Sequence, residues 1–528
     1  MVECTPKKHG KSLVLLFLGV VSLAFFTSHA TFSIDPPNRY QVAKSMVDHG
    51  DLQIRLGPGE PIPPGCDPGL DGNYYSRFGI GQTLIFAGPY AFFHHGLGIE
   101  SDKMIRSLIS VTLFPVNLAL TALVFYFLLR EFKFTQRRAY LAAVCLVFAT
   151  GLWQLSKEGQ EDAHLALLFA VVALGLRRFQ VRGSLKGLSV SAAAMAYSFI
   201  TRVDTAPMVF CYLVFAFYLI GQNQKKSEAQ SPAKRAGWYA YLLVIGLTLP
   251  ALLIHIYITQ AHFGHPVAGE HNPFSVAFVP RGLMGLLFSP GRSVFLYNPI
   301  FLLAPVGFFA LYRRHREWFF FLGAAFLGCL LLHAAVDAFH GNCCWGPRYL
   351  CRQFPLLFIP VAFFGFYPAP LSILRRVFVV LMVICSISVQ ILAVSLHHNR
   401  ELQELATAYE VGWSDRQWTM FEPEANFLKI RLVNLCSGID EMIKGEIAPW
   451  PEAETHLLTN EEQLAAPTLH YLAFWPYHLT YYLPAVQPAY AVPLWGSTLI
   501  LLTGVTFSVM WLIIGYAKAQ FCKSPVSI

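Results

Sequence analysis

The chain has 528 residues, of which 55% are hydrophobic and 13% are charged. Soluble domains are about 45–50% apolar and about 25% charged, so this composition excludes a soluble globular protein, a disordered chain and a collagen-like or disulfide-rich scaffold. An all-α polytopic membrane protein remains.

Apolar runs recur along the chain at lengths that cross a bilayer, and we expect about twelve transmembrane helices. A further run near 78–95 contains glycines and Pro89, so we interpret it as an interfacial or re-entrant helix. The first run is predicted to be an uncleaved anchor, and a signal peptide cleaved after Ala30 is the alternative. The predicted spans lie near residues 12–30, 104–129, 137–155, 163–179, 186–202, 204–221, 237–258, 294–312, 317–336, 353–369, 376–396 and 489–516.

The net charge of +8 is explained by topology. With both termini inside, the predicted inner segments carry about 22 of the 39 basic residues and about 4 of the 31 acidic residues, which is the positive-inside pattern. No nucleic-acid partner is therefore needed. The absence of any N-x-[ST] sequon is typical of a bacterial protein, so we expect a multi-pass bacterial inner-membrane protein with its active site on the periplasmic face.

Three parts follow from this topology. Residues 1–396 form a transmembrane core with a large first outer loop at 31–103. Residues 397–488 form a small extracytoplasmic domain with amphipathic segments near 400–410 and 426–444, and residues 489–528 form the last span and a cytoplasmic tail.

The first outer loop begins with a carboxylate close to the membrane surface. Asp35 is followed by two prolines, and residues 38–49 are predicted to form a short amphipathic helix that lies on the bilayer, with Tyr40, Ala43 and Val47 on one face. Asp35 is either a functional carboxylate or a cap of this helix.

Two further groups of ionisable residues lie at predicted outer ends of spans. The turn 157–164 holds Lys157, Glu158, Glu161, Asp162 and His164. It is either a solvated turn or the edge of a site. Arg202 and Asp204 stand between two spans with almost no loop, as a membrane-edge ion pair or as part of that site.

Two arginines follow glycine- and proline-containing turns. Arg292 lies in the segment Gly285–Pro299 and Arg348 in Asp337–Tyr349. An arginine beside exposed backbone N–H groups suits a phosphate, whereas snorkelling to lipid headgroups is the alternative. Carboxylates and guanidiniums at membrane depth indicate a lipid-phosphate substrate, in which a carboxylate accepts a proton and arginines stabilise the departing phosphate.

Four ordered stretches resemble the GT-C superfamily of integral-membrane glycosyltransferases, especially glycosyltransferase-39-like members, protein O-mannosyltransferases and aminoarabinose transferases. They are Ile34-Asp35-Pro36 through Tyr40 followed by Asp71 to Gln82, the turn Ser156–Asp162, Leu287 to Arg292 running into Leu296-Tyr297-Asn298-Pro299, and Trp345-Gly346-Pro347-Arg348-Tyr349-Leu350. The likeness covers roughly residues 10–400. Two departures are Pro36, where many relatives have a second acid, and Cys343-Cys344, where relatives often have Gly and Trp.

The resemblance implies a polyprenyl-phosphate-linked sugar as donor, inversion at the anomeric carbon and Asp35 as the general base. Glu161 and Asp71 are the candidates for a second carboxylate, and Glu161 is our predicted second catalytic residue. Arg292 and Arg348 would serve the lipid phosphate. The full set of predicted substrate-binding residues is Arg39, Asp71, Tyr75, Lys157, Arg202, Arg292, Tyr297, His340, Arg348 and Tyr349.

Partners and alternatives stay open in part. The predicted partners are membrane lipid, the polyprenyl-phosphate sugar and a glycan, lipid or protein acceptor. No cofactor or metal ligand is predicted, since His340 with Cys343 and Cys344 matches no zinc spacing, although a divalent metal is not excluded. A disulfide among Cys66, Cys343, Cys344 and Cys436 is left open. The competing functions are a transporter or flippase of a lipid-linked or anionic substrate, and a non-enzymatic scaffold.

Overall fold

A computed structural model describes most of the first 444 residues. The described residues are 6–28, 36–56, 62–63, 65–230, 237–264, 274–341, 344–367, 372–396, 404 and 420–444. Asp35, Asn342, Cys343 and the predicted last span at 489–516 lie outside them.

Helices account for most of the described chain, as the composition predicts. In chain order the α-helices are α1 (Pro6–Phe26), α2 (Pro36–Asp48), α3 (Gly81–Ala91), α4 (Asp102–Glu131), α5 (Gln136–Phe148), α6 (Leu152–Lys157), α7 (Glu161–Arg182), α8 (Leu185–Thr201), α9 (Ala206–Gln230), α10 (Gly237–Phe263), α11 (Val279–Phe288), α12 (Val294–Tyr297), α13 (Ala304–Tyr312), α14 (Arg316–Ala334), α15 (Arg348–Cys351), α16 (Phe354–Gly365), α17 (Ile373–Ser395) and α18 (Phe427–Lys444). A π-helical turn, Phe92–Gly96, extends α3.

Six of these segments are long and apolar enough to cross a membrane, which confirms an integral membrane protein. They are Met104–Glu131, Glu161–Arg182, Val203–Lys225, Gly237–Phe263, Arg316–Ala334 and Ile373–Ser395. Four apolar helices are shorter: Leu13–Phe26, Val276–Phe288, Pro299–Tyr312 and Phe354–Gly365. The predicted number of about twelve full-length spans is therefore not confirmed within the described residues.

Two predicted spans are interrupted, and the interruptions meet. The span predicted at 137–155 ends as α5 at Phe148 and restarts as α6 at Leu152. The span predicted at 294–312 is divided by a 3-10 turn, Pro299–Leu303, because a proline lacks the N–H that would continue the helix. The Asn298 Oδ1 atom accepts a hydrogen bond from the Gly151 backbone N at 2.6 Å. The Asn298 side chain at one interruption thus provides a hydrogen-bond acceptor for the Gly151 backbone N–H at the other interruption.

The helix predicted in the first outer loop is confirmed as α2, but its apolar face packs against protein, whereas the sequence predicted that this helix lies on the bilayer. Its residues Tyr40 and Ala43 are fully buried and pack with Phe86 and Tyr90 of α3 and with Ile105 of α4. The loop also contains a small antiparallel sheet that the all-α prediction missed. Its strands are β1 (Gln53–Ile54), β2 (Cys66–Pro68) and β3 (Tyr74–Ser76), in the order β1-β3-β2, with Tyr75 opposite both Gln53 and Asp67.

Most of the predicted domain at 397–488 lies outside the described residues. The amphipathic segment predicted near 426–444 is a helix, α18. Its Phe427 packs in a small apolar cluster with Tyr297, Trp345 and Ala393. The helix α18 therefore lies directly against the segments that carry Arg292 and Arg348.

The two ends of the helix α7 carry different groups of charged residues. At its C-terminal end Arg178 and Arg182 pair with Glu131 of α4, in the region predicted to be cytoplasmic. At its N-terminal end stand Glu161 and Asp162. With 22 residues, α7 is about 33 Å long at 1.5 Å per residue, which matches the thickness of a bilayer core.

Candidate functional site

Seven ionised side chains from four segments meet at the N-terminal end of α7. Glu161 and Asp162 open α7, Arg202 and Asp204 follow the end of α8, Arg39 lies in the first turn of α2, and Arg348 and Arg352 flank α15. We call these residues the charged cluster: Arg39, Glu161, Asp162, Arg202, Asp204, Arg348 and Arg352.

The turn before α7 directs the side chains of Glu161 and Asp162 into the protein interior. Gly159 has a φ of 70°, a left-handed conformation that glycine adopts at no steric cost, and its carbonyl accepts a hydrogen bond from Gln82 Nε2 at 2.8 Å. Glu161 and Asp162 then occupy the first turn of α7, where the helix dipole favours carboxylates. Both are fully buried. The alternative of a solvated turn at 157–164 is therefore wrong.

Glu161 is held by three guanidiniums. Arg39 Nη1 lies 2.6 Å from its Oε2 atom and Arg348 Nη2 lies 3.2 Å from its Oε1 atom. Arg202 Nη1 also donates to Oε1. Both carboxylate oxygens are thus engaged by arginines.

The remaining contacts close a ring of alternating charge. Asp162 accepts from Arg348 Nε at 2.9 Å and lies 3.1 Å from Arg352 Nε. Asp204 contacts Arg352, with Nη2 at 3.1 Å, and Arg202, with Nη2 at 2.8 Å. The ring runs Glu161, Arg202, Asp204, Arg352, Asp162, Arg348 and back to Glu161, with Arg39 attached at Glu161.

Tyr349 lies beside this ring of charges. Its aromatic centroid is 5.5 Å from the Arg202 guanidinium carbon and 5.9 Å from those of Arg348 and Arg352. The opposite contact is with His333 at the end of α14, stacked at 4.7 Å. Cation–π attraction therefore adds to the ion pairs that hold the three arginines in place.

The charged cluster carries one surplus positive charge, since four guanidiniums face three carboxylates among the described residues. Ionised groups removed from water are costly unless they are paired, and in a membrane protein they mark functional sites by default. Arg202, at 8% exposure, and Tyr349, at 9%, are less buried than Arg39 and Glu161, both at 0%. This is the side of the cluster nearest to solvent.

A mainly apolar cleft lies next to Arg39. The Phe78 ring separates the two, with the Arg39 guanidinium 4.2 Å from its centroid. Gly79 lets the backbone after Phe78 lie directly against the end of α8, since a Cβ at Gly79 would lie 2.4 Å from the Ile200 carbonyl oxygen. The cleft is lined mainly by aliphatic and aromatic side chains: Val42, Leu52, Tyr75, Phe78, Ile80, Ile200, Ile254, Ile258 and Phe263.

Arg292 lies in a neighbouring group. It is fully buried, it donates to the Cys344 carbonyl, and its guanidinium lies 4.8 Å from the Phe427 ring. Tyr297 donates to the Pro290 carbonyl at 3.2 Å and meets Trp345 edge-on at 5.0 Å. The short segment 344–349 joins this group to the charged cluster.

Two more of the predicted binding residues, Arg348 and His340, are buried. Arg348, like Arg292, is enclosed by protein, so the snorkelling alternative is wrong for both arginines. His340 is buried next to Phe339.

Lys157 is also buried, and its ammonium donates to the Val394 carbonyl. Burial and the nearby Arg431 hold the pKa of Lys157 well below its usual range.

Asp71 and Tyr75 form a separate group against α10. The Tyr75 hydroxyl donates to Asp71 at 2.7 Å, and its ring stacks on His262 at 3.9 Å. Hydrogen bonds from Tyr75 and Asn73 lower the pKa of the Asp71 carboxyl. Of the two candidates for a second carboxylate, Glu161 lies in the charged cluster, whereas Asp71 is exposed beside the cleft.

Sequence reasoning missed several members of the charged cluster as site residues. Arg352 was not considered, although it follows Arg348 by four residues, the spacing of neighbours on one helix face. Asp162 and Asp204 were noted as acids but not assigned to the site. His333, which supports Tyr349, gives no local signal because it ends an apolar helix.

The structure bears on the possible disulfide among the four cysteines for only some of them. Cys66 and Cys436 carry free thiols in the described part of the chain. Burial raises the pKa of Cys66 to about 12, so this thiol is unreactive at neutral pH. Cys343 lies outside the described residues.

Residues 105–254 match the model of the dolichyl-phosphate-mannose-protein mannosyltransferase family. The matched segment contains Glu161, Asp162, Arg202 and Asp204 of the charged cluster. The resemblance to GT-C glycosyltransferases is thereby confirmed. No curated protein matches the chain.

Three solved structures are similar to the chain at low identity. ArnT from Cupriavidus metallidurans in the apo state is 14% identical, with a TM-score of 0.45 over 88% of this chain and 85% of that chain. The same protein bound to undecaprenyl phosphate is 14% identical, with a TM-score of 0.45 over 86% and 85%. The oligosaccharyltransferase AglB from Archaeoglobus fulgidus, in complex with an inhibitory peptide and a dolichol-phosphate, is 14% identical, with a TM-score of 0.42 over 73% and 55%.

Proposed function

We propose that this chain is an inverting glycosyltransferase that moves a sugar from a polyprenyl-phosphate donor to an acceptor hydroxyl at the extracytoplasmic membrane face. The charged cluster is the observation that carries the proposal, because seven charged side chains at one end of the helices, six of them buried, need a functional reason. The family matched by residues 105–254 supports it, since its name specifies a sugar linked to a polyprenyl phosphate.

The charge of the cluster suits such a donor. A polyprenyl-phosphate sugar is a phosphodiester with one negative charge, and the described cluster has a surplus of one positive charge. Guanidiniums bind phosphate oxygens bidentately and keep their charge in a buried site. We place the phosphate on the less buried side of the cluster, beside Arg202, Arg348 and Tyr349, with Arg292 in the adjoining group.

The cleft beside Arg39 suits the lipid part of the donor. It adjoins the cluster through Phe78 and has an apolar lining. A prenyl chain in this cleft buries apolar surface worth roughly 25 cal/mol per Å². Phosphate and chain would thus be bound by neighbouring but chemically different surfaces.

In the proposed reaction, the acceptor oxygen attacks the anomeric carbon from the side opposite the phosphate. The bond from that carbon to the phosphate oxygen breaks, and its electron pair stays on the phosphate, whose charge the arginines stabilise. The acceptor proton passes to Asp35, which directly precedes α2 in the sequence. We assign Glu161 a positioning role, because both of its oxygens are already engaged by arginines that it orients.

The test is turnover by the purified, reconstituted full chain with polyprenyl-phosphate-linked sugars. Asp35→Asn keeps the size of the side chain and removes its basicity, so we expect a loss of about 10²–10⁴-fold in rate. Asp51→Asn is the matched control in the same loop, since Asp51 pairs with Arg55 at 2.6 Å on the surface. We expect it to keep its activity. Equal activity of both variants would contradict Asp35 as the base.

The same assay separates the transferase from a transporter or flippase. A transferase releases polyprenyl phosphate without its sugar, which mass spectrometry of the lipid fraction detects. A flippase moves the intact lipid between leaflets. Translocation of the intact donor in proteoliposomes, with no release of free polyprenyl phosphate in the presence of membrane acceptors, would overturn the proposed function.

A further inference from the structure

We propose that Asp48, His94 and His95 form a binding site for a divalent transition metal, of which Zn²⁺ is the best match. One potential ligand atom of each residue lies within 4.8 Å of those of the other two. The site stands where the end of α2 meets the π-helical turn after α3. It shares no residue with the charged cluster and does not depend on the proposed function.

The two histidines come together at an irregular point of the helix. Consecutive side chains of an α-helix diverge by about 100°. Here α3 passes into the π-helical turn Phe92–Gly96, closed by a bond of 3.0 Å from Leu97 N to the Phe92 carbonyl. The ring centroids of His94 and His95 lie 4.7 Å apart. Single π-helical turns of this kind are frequent at functional sites.

His94 is held in the tautomer that a metal requires. Its Nδ1 atom lies 2.9 Å from the Ile99 carbonyl oxygen. A carbonyl only accepts, so this contact places a proton on Nδ1 and leaves Nε2 for a metal. A backbone carbonyl on the non-ligating nitrogen is the usual outer partner of a metal-binding histidine.

Asp48 is oriented toward the same point. Its Oδ2 atom accepts a hydrogen bond of 2.7 Å from the hydroxyl of Tyr90, which is buried, and its Oδ1 atom lies 3.0 Å from His95 Nε2.

This donor set selects the metal. Two imidazoles and one carboxylate suit zinc, and three protein ligands leave the fourth tetrahedral position for water. Zinc–ligand bonds of about 2.0–2.2 Å place tetrahedral ligand atoms roughly 3.4 Å apart, so a separation of up to 4.8 Å must close by up to about 1.4 Å. His95 can make that adjustment, because its side chain is 56% exposed. A simple Asp48–His95 surface pair would be worth at most about 1 kcal/mol and would give His94 no role.

The metal would join the end of α2 to the end of α3. The other end of α2 carries Arg39, which pairs with Glu161. A metal that holds the Asp48 end of α2 would therefore also help to hold Arg39 in position at the other end of this short helix. A bound metal should raise the stability of the first outer loop.

The test uses the full-length protein in detergent, free of affinity tag and stripped of metal, titrated with Zn²⁺ alone by calorimetry. We expect one high-affinity Zn²⁺ per chain and a higher Tm with Zn²⁺. His94→Ala and His95→Ala should each weaken binding at least ~10-fold, as should Tyr90→Phe, which removes only the group that orients Asp48. Co²⁺ should give the visible absorption of a four-coordinate site.

The matched control is His49→Ala. His49 is exposed, neighbours Asp48 in the sequence and is not part of the group. This variant should bind Zn²⁺ like the wild type. Absence of Zn²⁺ binding by the wild type, or equal binding by the wild type, His94→Ala and His95→Ala proteins, would overturn the proposal. Because Tyr90→Phe keeps all three ligands, it provides the answer if an alanine variant fails to fold.

Discussion

Arg352 is predicted to be the arginine whose removal most disturbs the charged cluster. It is fully buried, its Nε lies 3.1 Å from Asp162, and its Nη atoms contact Asp204. Arg352→Met keeps an unbranched apolar stem and removes the guanidinium. Two carboxylates then lose a partner where water cannot replace it, and removing one partner of a buried pair costs about 3–5 kcal/mol.

A double-mutant cycle isolates the pairing with Asp204. Asp204→Asn removes one of the two carboxylates from which Arg352→Met takes a partner, so the double variant should be less destabilised than the sum of the two single variants. Interaction energies between contacting charged residues are about 0.5–3 kcal/mol. We expect the upper half of that range, because Arg352 and Asp204 are joined by two contacts.

The assay is equilibrium unfolding of the purified protein in one detergent, followed by tryptophan fluorescence. Arg182→Met is the control, since Arg182 pairs with Glu131 but its side chain is 63% exposed, and surface pairs contribute about 0–1 kcal/mol. The reasoning is refuted if Arg352→Met is no less stable than Arg182→Met. Strict additivity of Arg352→Met and Asp204→Asn would equally show that the two residues do not form one unit.

Two further predictions address the first outer loop and the topology. Gly79→Ala should destabilise the protein by about 1–3 kcal/mol, because its Cβ would lie 2.4 Å from the Ile200 carbonyl oxygen, whereas Gly88→Ala, with nothing within 4 Å, should be tolerated; equal Tm values for the two variants would contradict the close approach. Single cysteines introduced at 222–236 and at 440–460 should be labelled from opposite sides of the membrane, and labelling from the same side would refute the predicted orientation.

Local patterns in the sequence predicted much of the fold. Bilayer-length apolar runs indicated a helical membrane protein, and Tyr40, Ala43 and Val47 indicated the buried face of α2 because helical periodicity places them together. The helix interruptions at Gly151 and Asn298 were not predicted. Each lies inside an apolar run, and only the contact between them makes both breaks favourable.

The charged cluster shows why the site was predicted only in part. Glu161 and Arg348 stood out because each lies in a short polar segment at the end of a span. Arg352 and Asp204 are 148 residues apart, and their pairing depends on how the end of α15 meets the turn between α8 and α9. No local spacing encodes such a contact. The solvated-turn interpretation of 157–164 was wrong because other segments of the chain enclose this turn, although its sequence is polar.

The central claim is that the charged cluster binds the phosphate of a polyprenyl phosphate. The direct measurement is the Kd of a short-chain polyprenyl phosphate for the purified wild-type protein, Arg348→Lys and Arg182→Lys. Lysine keeps the charge and loses the bidentate fork, so Arg348→Lys should bind about 10-fold more weakly, a loss of about 1.4 kcal/mol. Arg182→Lys should bind like the wild type. Equal affinity of all three proteins, or no binding by the wild type, would contradict the account.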